Sequence, residues 1–96
     1  MLENKFQANL IKEIKNLFPG CIVMKNDSGY IQGIPDLLVL HGPKWAALEC
    51  KKNARASRQP NQEHYVKVMN EMSFSRFVSP ENKEEVLHEL QQTFKA

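Results

Sequence analysis

From Leu2 to Phe18 apolar residues return every three or four positions, so that Leu2, Phe6, Leu10, Ile14 and Leu17 form one stripe among charged and amide side chains. That period predicts an amphipathic helix, which Pro19-Gly20 ends. Glu3 stands at the edge of the stripe, one turn before Gln7, where an acid in a first turn favours the helix. The period then shortens. Cys21-Ile22-Val23-Met24 reads as a strand leading into Lys25-Asn26, with Lys25 facing the same end of the sheet as the residues that follow. Asp27-Ser28-Gly29-Tyr30-Ile31-Gln32-Gly33 reads as a polar loop whose glycines permit tight turns and close backbone approaches. Asp27 is a turn residue on this reading, because the strand pattern resumes only at Ile34.

Two nearly unbroken apolar runs come next, Pro35-Asp36-Leu37-Leu38-Val39-Leu40 and Trp45-Ala46-Ala47-Leu48-Glu49-Cys50-Lys51, joined by His41-Gly42-Pro43-Lys44. They predict a hairpin. Gln59-Pro60 opens a second helix, proline being tolerated in a first turn, with Tyr65, Met69 and Met72 on one stripe and Val66 and Val68 beside it. Ser73 to Val78 alternates as a fourth strand in which Phe74 and Arg76 share a side. Ser79-Pro80 with Glu81 is a helix start, and Val86, Leu87, Leu90 and Phe94 give that last helix its apolar face. The sum is αβββαβα, an α/β chain with a small mixed sheet flanked by helices. No repeat, low-complexity tract or linker interrupts it, so residues 1–96 read as a single domain.

The hairpin carries three charges that a core does not need: Asp36, Glu49 and Lys51. Pairing Leu40 with Trp45 sets Asp36 opposite Glu49, at a Cβ separation of about 4.5–5.5 Å. Glu49 and Lys51 are two residues apart and share a face, roughly 6.6 Å apart along the strand. Two carboxylates so close repel each other when ionised. A divalent cation removes the conflict, and oxygen ligands favour Mg2+ or Mn2+. A lysine beside it can position or activate a water, or stabilise a phosphorane-like transition state. The plainer alternative is a cross-strand salt bridge on a solvated sheet face; the apolar surroundings and the matching register weigh against it.

Pro35-Asp36 and Glu49-Cys50-Lys51 resemble the signature of the PD-(D/E)XK nuclease superfamily. Together with Gly33-Ile34-Pro35-Asp36, Glu3 in the first helix and Pro60-Asn61-Gln62 after the E-x-K strand, the chain is most similar to a standalone, phage-type VRR-NUC domain. The likeness runs from Glu3 to about Pro80. It implies a restriction-endonuclease-like αβββαβ core with an additional C-terminal helix, and hydrolysis of DNA phosphodiester bonds to a 5′-phosphate and a 3′-hydroxyl. It implies metal ligation by Asp36, Glu49 and the Cys50 carbonyl, with Lys51 activating water. Glu3 would reach toward the metal or its water, and Gln62 would orient the active-site groups. The likeness also implies a homodimer, the arrangement of standalone phage-type relatives, and a setting in DNA repair or recombination.

Composition narrows the field further. The chain has 13 Lys and Arg against 11 Asp and Glu, a formal charge of +2, which is too weak to establish nucleic-acid binding by itself. The distribution says more. No acid stands between Glu49 and Glu63, and Lys51, Lys52, Arg55 and Arg58 follow Lys44 through that stretch, placed to grip phosphates on either side of the metal. Lys25 is a further phosphate contact on this reading, and Tyr30 either stacks on a base or packs under its loop. Cys21 and Cys50 read as buried free thiols. His41, His64 and His88 lack zinc-like spacing, and no organic cofactor is implied. No apolar run suits a bilayer and Met1 to Lys5 is not a signal peptide, so a cytoplasmic setting is expected, the host's if the chain is phage-encoded. Nothing reads specific bases, which points to selection of DNA by shape: a four-way junction, a flap or a nick. The alternative of another class is a non-catalytic DNA-binding or interaction module on the same scaffold.

Overall fold

The computed structural model describes residues 2–95. Its elements run α1 (Glu3–Leu17), β1 (Ile22–Lys25), β2 (Leu37–His41), β3 (Lys44–Cys50), α2 (Pro60–Met72), β4 (Ser75–Val78) and α3 (Lys83–Lys95). The order is the one expected. One four-stranded sheet is arranged β1-β2-β3-β4. The first three strands are an antiparallel meander, and β4 lies parallel to β3, with α2 supplying the crossover that a parallel pair requires. This is an α/β core of the restriction-endonuclease type, extended by a C-terminal helix.

The β2–β3 register is Leu40 opposite Trp45 and Leu37 opposite Leu48. The turn is shorter than the sequence suggested: His41 and Lys44 already pair, leaving Gly42-Pro43 as a two-residue loop with Gly42 at φ 59°. Glycine first in such a turn matches the twist of the flanking strands.

Strand alternation sorts the sheet into two faces. Leu37, Val39, Ala46, Leu48, Cys50 and Val78 point toward α1 and α3, where they meet Phe6, Leu10, Ile14, Val86, Leu90 and Phe94 in the core. Glu49, Ser75 and Phe77 occupy the alternate row, under α2. That helix covers only the β3–β4 half of its face. Consequently none of its residues is fully buried, and Met72, expected on its apolar stripe, is 69% exposed.

The α1 stripe also drifts. Phe6, Leu10, Ile14 and then Phe18, just beyond the helix, fill the core at four-residue spacing, whereas Leu2 lies before the helix, 74% exposed, and Leu17 faces outward. The last helix starts later than Ser79-Pro80 suggested. Asn82 anchors its start: its Oδ1 accepts from the Ser79 N–H at 2.8 Å, its Nδ2 donates to Phe77 O at 2.9 Å, and its carbonyl accepts from the Val86 N–H at 3.0 Å. Cys50 is buried and Cys21 only half-buried, both as free thiols. Among the described residues no helix is long and apolar enough to cross a membrane.

Candidate active site

Asp36 immediately precedes β2, and Glu49 is the penultimate residue of β3. Extending the ladder by one step from Leu37–Leu48 puts them opposite each other, and the hydrogen bonds agree. The Asp36 N–H donates to Glu49 Oε1 at 3.2 Å, and the Cys50 N–H donates to Asp36 Oδ2 at 2.9 Å. Glu49 is only 3% exposed, a burial that glutamate tolerates only with partners.

Gln62, in the first turn of α2, supplies them. Its Nε2 donates to Glu49 Oε2 at 2.8 Å, while its Oε1 accepts from Lys51 Nζ at 2.8 Å and from the Gln59 N–H at 3.0 Å. The amide orientation follows from its neighbours, since a carboxylate only accepts and an ammonium only donates. The Gln59–Gln62 exchange is a capping box, which ties the start of α2 to the site. A glutamate at this position would complete the box equally well but would have no donor for Glu49. Lys51 Nζ donates again to Ser57 O at 3.0 Å and stands 3.9 Å from Glu49 Oε2.

Electrostatics match the geometry. Burial pushes the Glu49 carboxyl up to about 7, reinforced by the Asp36 carboxylate and opposed by Lys51 and the Asp36 N–H. Asp36 is raised by the same desolvation, which the Cys50 N–H and Lys51 offset. The Cys50 thiol is pushed up to about 12 by burial and by the two carboxylates, and it belongs to the core row. Its carbonyl differs: backbone N–H and C=O of one strand residue share an edge, and the Cys50 N–H points at Asp36.

Among the described residues no cluster of three or more His, Cys, Asp or Glu side chains forms a metal cage. The donors present are two carboxylates that burial leaves short of counter-charge. They fit Mg2+ or Mn2+, which keep several waters and take one or two carboxylates together with substrate phosphate; they do not fit a closed tetrahedral zinc site.

The remaining expected residues divide. Glu3 is exposed in the first turn of α1; it lines a hollow of about 580 Å³ with Lys51, Lys52, Arg55, Gln59 and Gln62, and its charge adds to the rise at Glu49. Arg58 stacks 3.9 Å above the Phe77 ring, on the same sheet face as Glu49. Tyr30 is 85% exposed on the loop whose Ser28, Gln32 and Gly33 form a second hollow against Gln59 and Gln62. Two lysines do not come to the site. Lys25 pairs with Leu37, in the row opposite to that of Asp36 and Glu49. Lys44 begins β3 while the site lies at its end, roughly 20 Å away by strand rise, and its Nζ donates to Thr93 O in α3 at 3.0 Å.

The structure adds partners that sequence reasoning passed over. Asn26 donates from its N–H to Asp36 O and from Nδ2 to Pro35 O, both at 2.8 Å. Gln59 and the Ser57 carbonyl hold Gln62 and Lys51. Ser57 acts through its carbonyl and Asn26 through both its N–H and its side-chain amide, each toward a backbone or lysine partner that no side-chain pattern reveals. Glutamine at the cap departs from the usual Ser/Thr-led capping-box signature.

No protein-family model matches the sequence, and no curated protein matches it. Solved structures do. A VRR_NUC domain superposes with a TM-score of 0.72 at 21% identity, over 90% of this chain and 94% of the other. The chain has the fold of a VRR_NUC domain. Hjc of Archaeoglobus fulgidus, a Holliday junction resolvase from an archaeal hyperthermophile, is similar at a TM-score of 0.54 and 13% identity, over 79% of this chain and 67% of Hjc. The VRR_NUC-like architecture agrees with the resemblance carried by Pro35-Asp36 and Glu49-Cys50-Lys51.

Proposed function

We propose that this chain is one nuclease domain that hydrolyses DNA phosphodiester bonds with Mg2+ or Mn2+, selects branched or nicked DNA by shape, and works as a homodimer in the cytoplasm. The observation that carries the reading is the Asp36–Glu49 pair, Glu49 buried and Asp36 half-buried, with Lys51 fixed beside it by Gln62 and Ser57.

Asp36, Glu49 and the Cys50 carbonyl would hold the cation. When bound, the cation would stabilise charge on the phosphoryl oxygens and make a coordinated water more acidic. Lys51 has three N–H donors. Gln62 and Ser57 take two of them, which leaves the third to orient the attacking water or a phosphoryl oxygen. Glu3 faces the same hollow from α1 and can take a hydrogen bond from that water. Lys52, Arg55 and Arg58 would hold the flanking phosphates, and Tyr30 would meet a base on the other side of Gln62.

The likeness to a Holliday junction resolvase favours the four-way junction among the candidate substrates. Cutting two strands symmetrically with one centre per chain needs two copies, and closed two-fold dimers are the commonest homo-oligomers. The test is cleavage with and without Mg2+ on linear duplex, single strand, nicked circle, flap and four-way junction. Asp36→Ala, Glu49→Ala and Lys51→Ala are each expected to lose nearly all cleavage while keeping the fold. Full magnesium-dependent activity in all three would sink the assignment. Absence of both Mn2+ binding and cleavage in the wild type would leave a DNA-binding module instead.

A further inference from the structure

We propose that Asn26 is a positioning residue for the acid pair, a role that rests on the metal-nuclease reading above. Asp36 lies outside β2, one step beyond the last β1–β2 partners, Lys25 and Leu37. Its geometry is therefore set by what holds the two peptide units on either side of its Cα. Asn26 holds both. Its Nδ2 donates to Pro35 O, the carbonyl of the preceding peptide, and its N–H donates to Asp36 O, the carbonyl of the following one, each at 2.8 Å.

Fixing those two planes fixes φ and ψ of Asp36, and hence the direction of its carboxylate toward the Cys50 N–H. The preceding peptide does a second thing: its N–H is the Asp36 N–H that donates to Glu49 Oε1 at 3.2 Å. A continuous chain thus runs from the Asn26 amide through the Pro35–Asp36 peptide to the Glu49 carboxylate, and hydrogen bonds in such chains polarise and reinforce one another. Proline at 35 offers no N–H, so the peptide before it cannot be tied by a donor of that residue. The backbone bond at Asn26 is open to any residue but proline. The side-chain bond is more selective: aspartate has no donor when ionised, and serine is a bond too short.

The consequence concerns the ligands more than the fold. Loss of the Asn26 amide frees the Pro35–Asp36 peptide to rotate, which spreads the positions of both carboxylates while leaving Lys52, Arg55 and the rest of the DNA-facing surface in place. The experiment compares the full-length wild type with Asn26→Ala, Asn26→Ser and Leu87→Ala. Leu87→Ala, in the α1–α3 core, serves as the control for a protein that is merely less stable. The readouts are Mn2+ affinity of the DNA-free protein by calorimetry, thermal unfolding, and kcat and KM on the substrate that the wild type cuts.

Both Asn26 variants are expected to lose about 10-fold in Mn2+ affinity and in kcat, with KM for DNA within about twofold of wild type. Leu87→Ala should unfold at a lower temperature with Mn2+ affinity unchanged. Wild-type Mn2+ affinity and kcat in Asn26→Ala, or losses no larger than in Leu87→Ala, would overturn the proposal. If Asn26→Ala does not fold, Asn26→Ser is read against the same criteria. A wild type that neither binds Mn2+ nor cleaves removes the metal-nuclease reading and this role with it, a result distinct from an active wild type that is indifferent to Asn26.

Discussion

Asp36 and Glu49 meet across the hairpin through the Asp36 N–H, which donates to Glu49 Oε1 at 3.2 Å in a setting where Glu49 is 3% exposed. That bond, the Gln62 amide and Lys51 together do not offset the desolvation and the neighbouring Asp36 carboxylate, and the Glu49 carboxyl rises from 4.5 to about 7. The folded state therefore keeps a proton that the unfolded chain releases. Stability from this group is fully present below pH 4.5 and is lost as pH rises through about 7. For the metal-free protein the loss amounts to at most roughly 3 kcal/mol, with Asp36 adding in the same direction. Thermal unfolding in EDTA between pH 5 and 8 should show the decline, and Glu49→Gln should flatten it. An unchanged pH slope in the variant would mean that the raised group lies elsewhere.

The same proton competes with a cation. Mn2+ affinity should climb with pH by up to about tenfold per unit below 7 and level off above it. Calorimetry from pH 5.5 to 8.5 measures this directly. Because the cation neutralises both carboxylates, saturating Mn2+ should also remove the loss of thermal stability at pH 8. An affinity independent of pH would exclude Glu49 as a ligand.

Gln62 bridges Lys51 and Glu49 with the two ends of one amide, so its variants should separate two roles. Gln62→Glu keeps the shape and the acceptor for Lys51 but turns the end facing Glu49 into a third carboxylate. We expect kcat to fall by about 10–100-fold, KM for DNA to stay near wild type, and the acid limb of the rate profile to move to higher pH. Gln62→Ala also breaks the capping box and should cost about 1 kcal/mol of stability, read as a lower melting temperature. Equal losses in KM and kcat would instead place Gln62 on the substrate.

Much of this site was legible because hairpin register is a counting problem once the turn is located. The pairing of Leu40 with Trp45 followed from two apolar runs and a Gly-Pro turn, and it placed Asp36, Glu49 and Lys51 together. The order of elements followed from period changes at Pro19-Gly20, at Gln59-Pro60 and after Ser79. Lys25 and Lys44 were misplaced for one common reason: nearness in sequence does not say which face or which end of a strand a side chain occupies. The exposure of Met72 was hidden because a helix stripe cannot reveal how much sheet lies beneath it. Asn26 left no trace since half its work is done by its backbone.

Gly33 shows how tightly the loop is pressed against α2. Its φ is +90°, and a Cβ there would stand 2.4 Å from Asn61 Cβ and 2.7 Å from the Asn61 carbonyl carbon. Neither atom is the movable end of a side chain. Gly33→Ala should therefore cost about 2 kcal/mol or more, from the left-handed backbone and from displacing the first turn of α2 that carries Gln62. Gly20 isolates the first cause, for it has φ +88° with nothing within 4 Å; Gly20→Ala should cost only about 1–2 kcal/mol. Chemical denaturation of the two variants measures both. Equal costs would show that the loop yields, and kcat in Gly33→Ala would then match wild type.

The basic residues divide by position, and salt dependence can read the division. Lys52 and Arg55 are exposed and line the hollow that holds Lys51 and Gln62. Each phosphate they neutralise releases counterions, so the double variant Lys52→Ala/Arg55→Ala should lower the slope of log affinity against log salt by about 2. Lys25→Ala and Lys44→Ala should leave that slope where it is, because Lys25 leaves from the other face of the sheet and Lys44 is tied to Thr93 O at the far end of β3. Fluorescence anisotropy of a labelled four-way junction in Ca2+, between low and physiological salt, provides the measurement without cleavage. A slope that falls equally for all four lysine and arginine sites would mean that DNA wraps the whole sheet, and would remove the hollow beside α2 as its path.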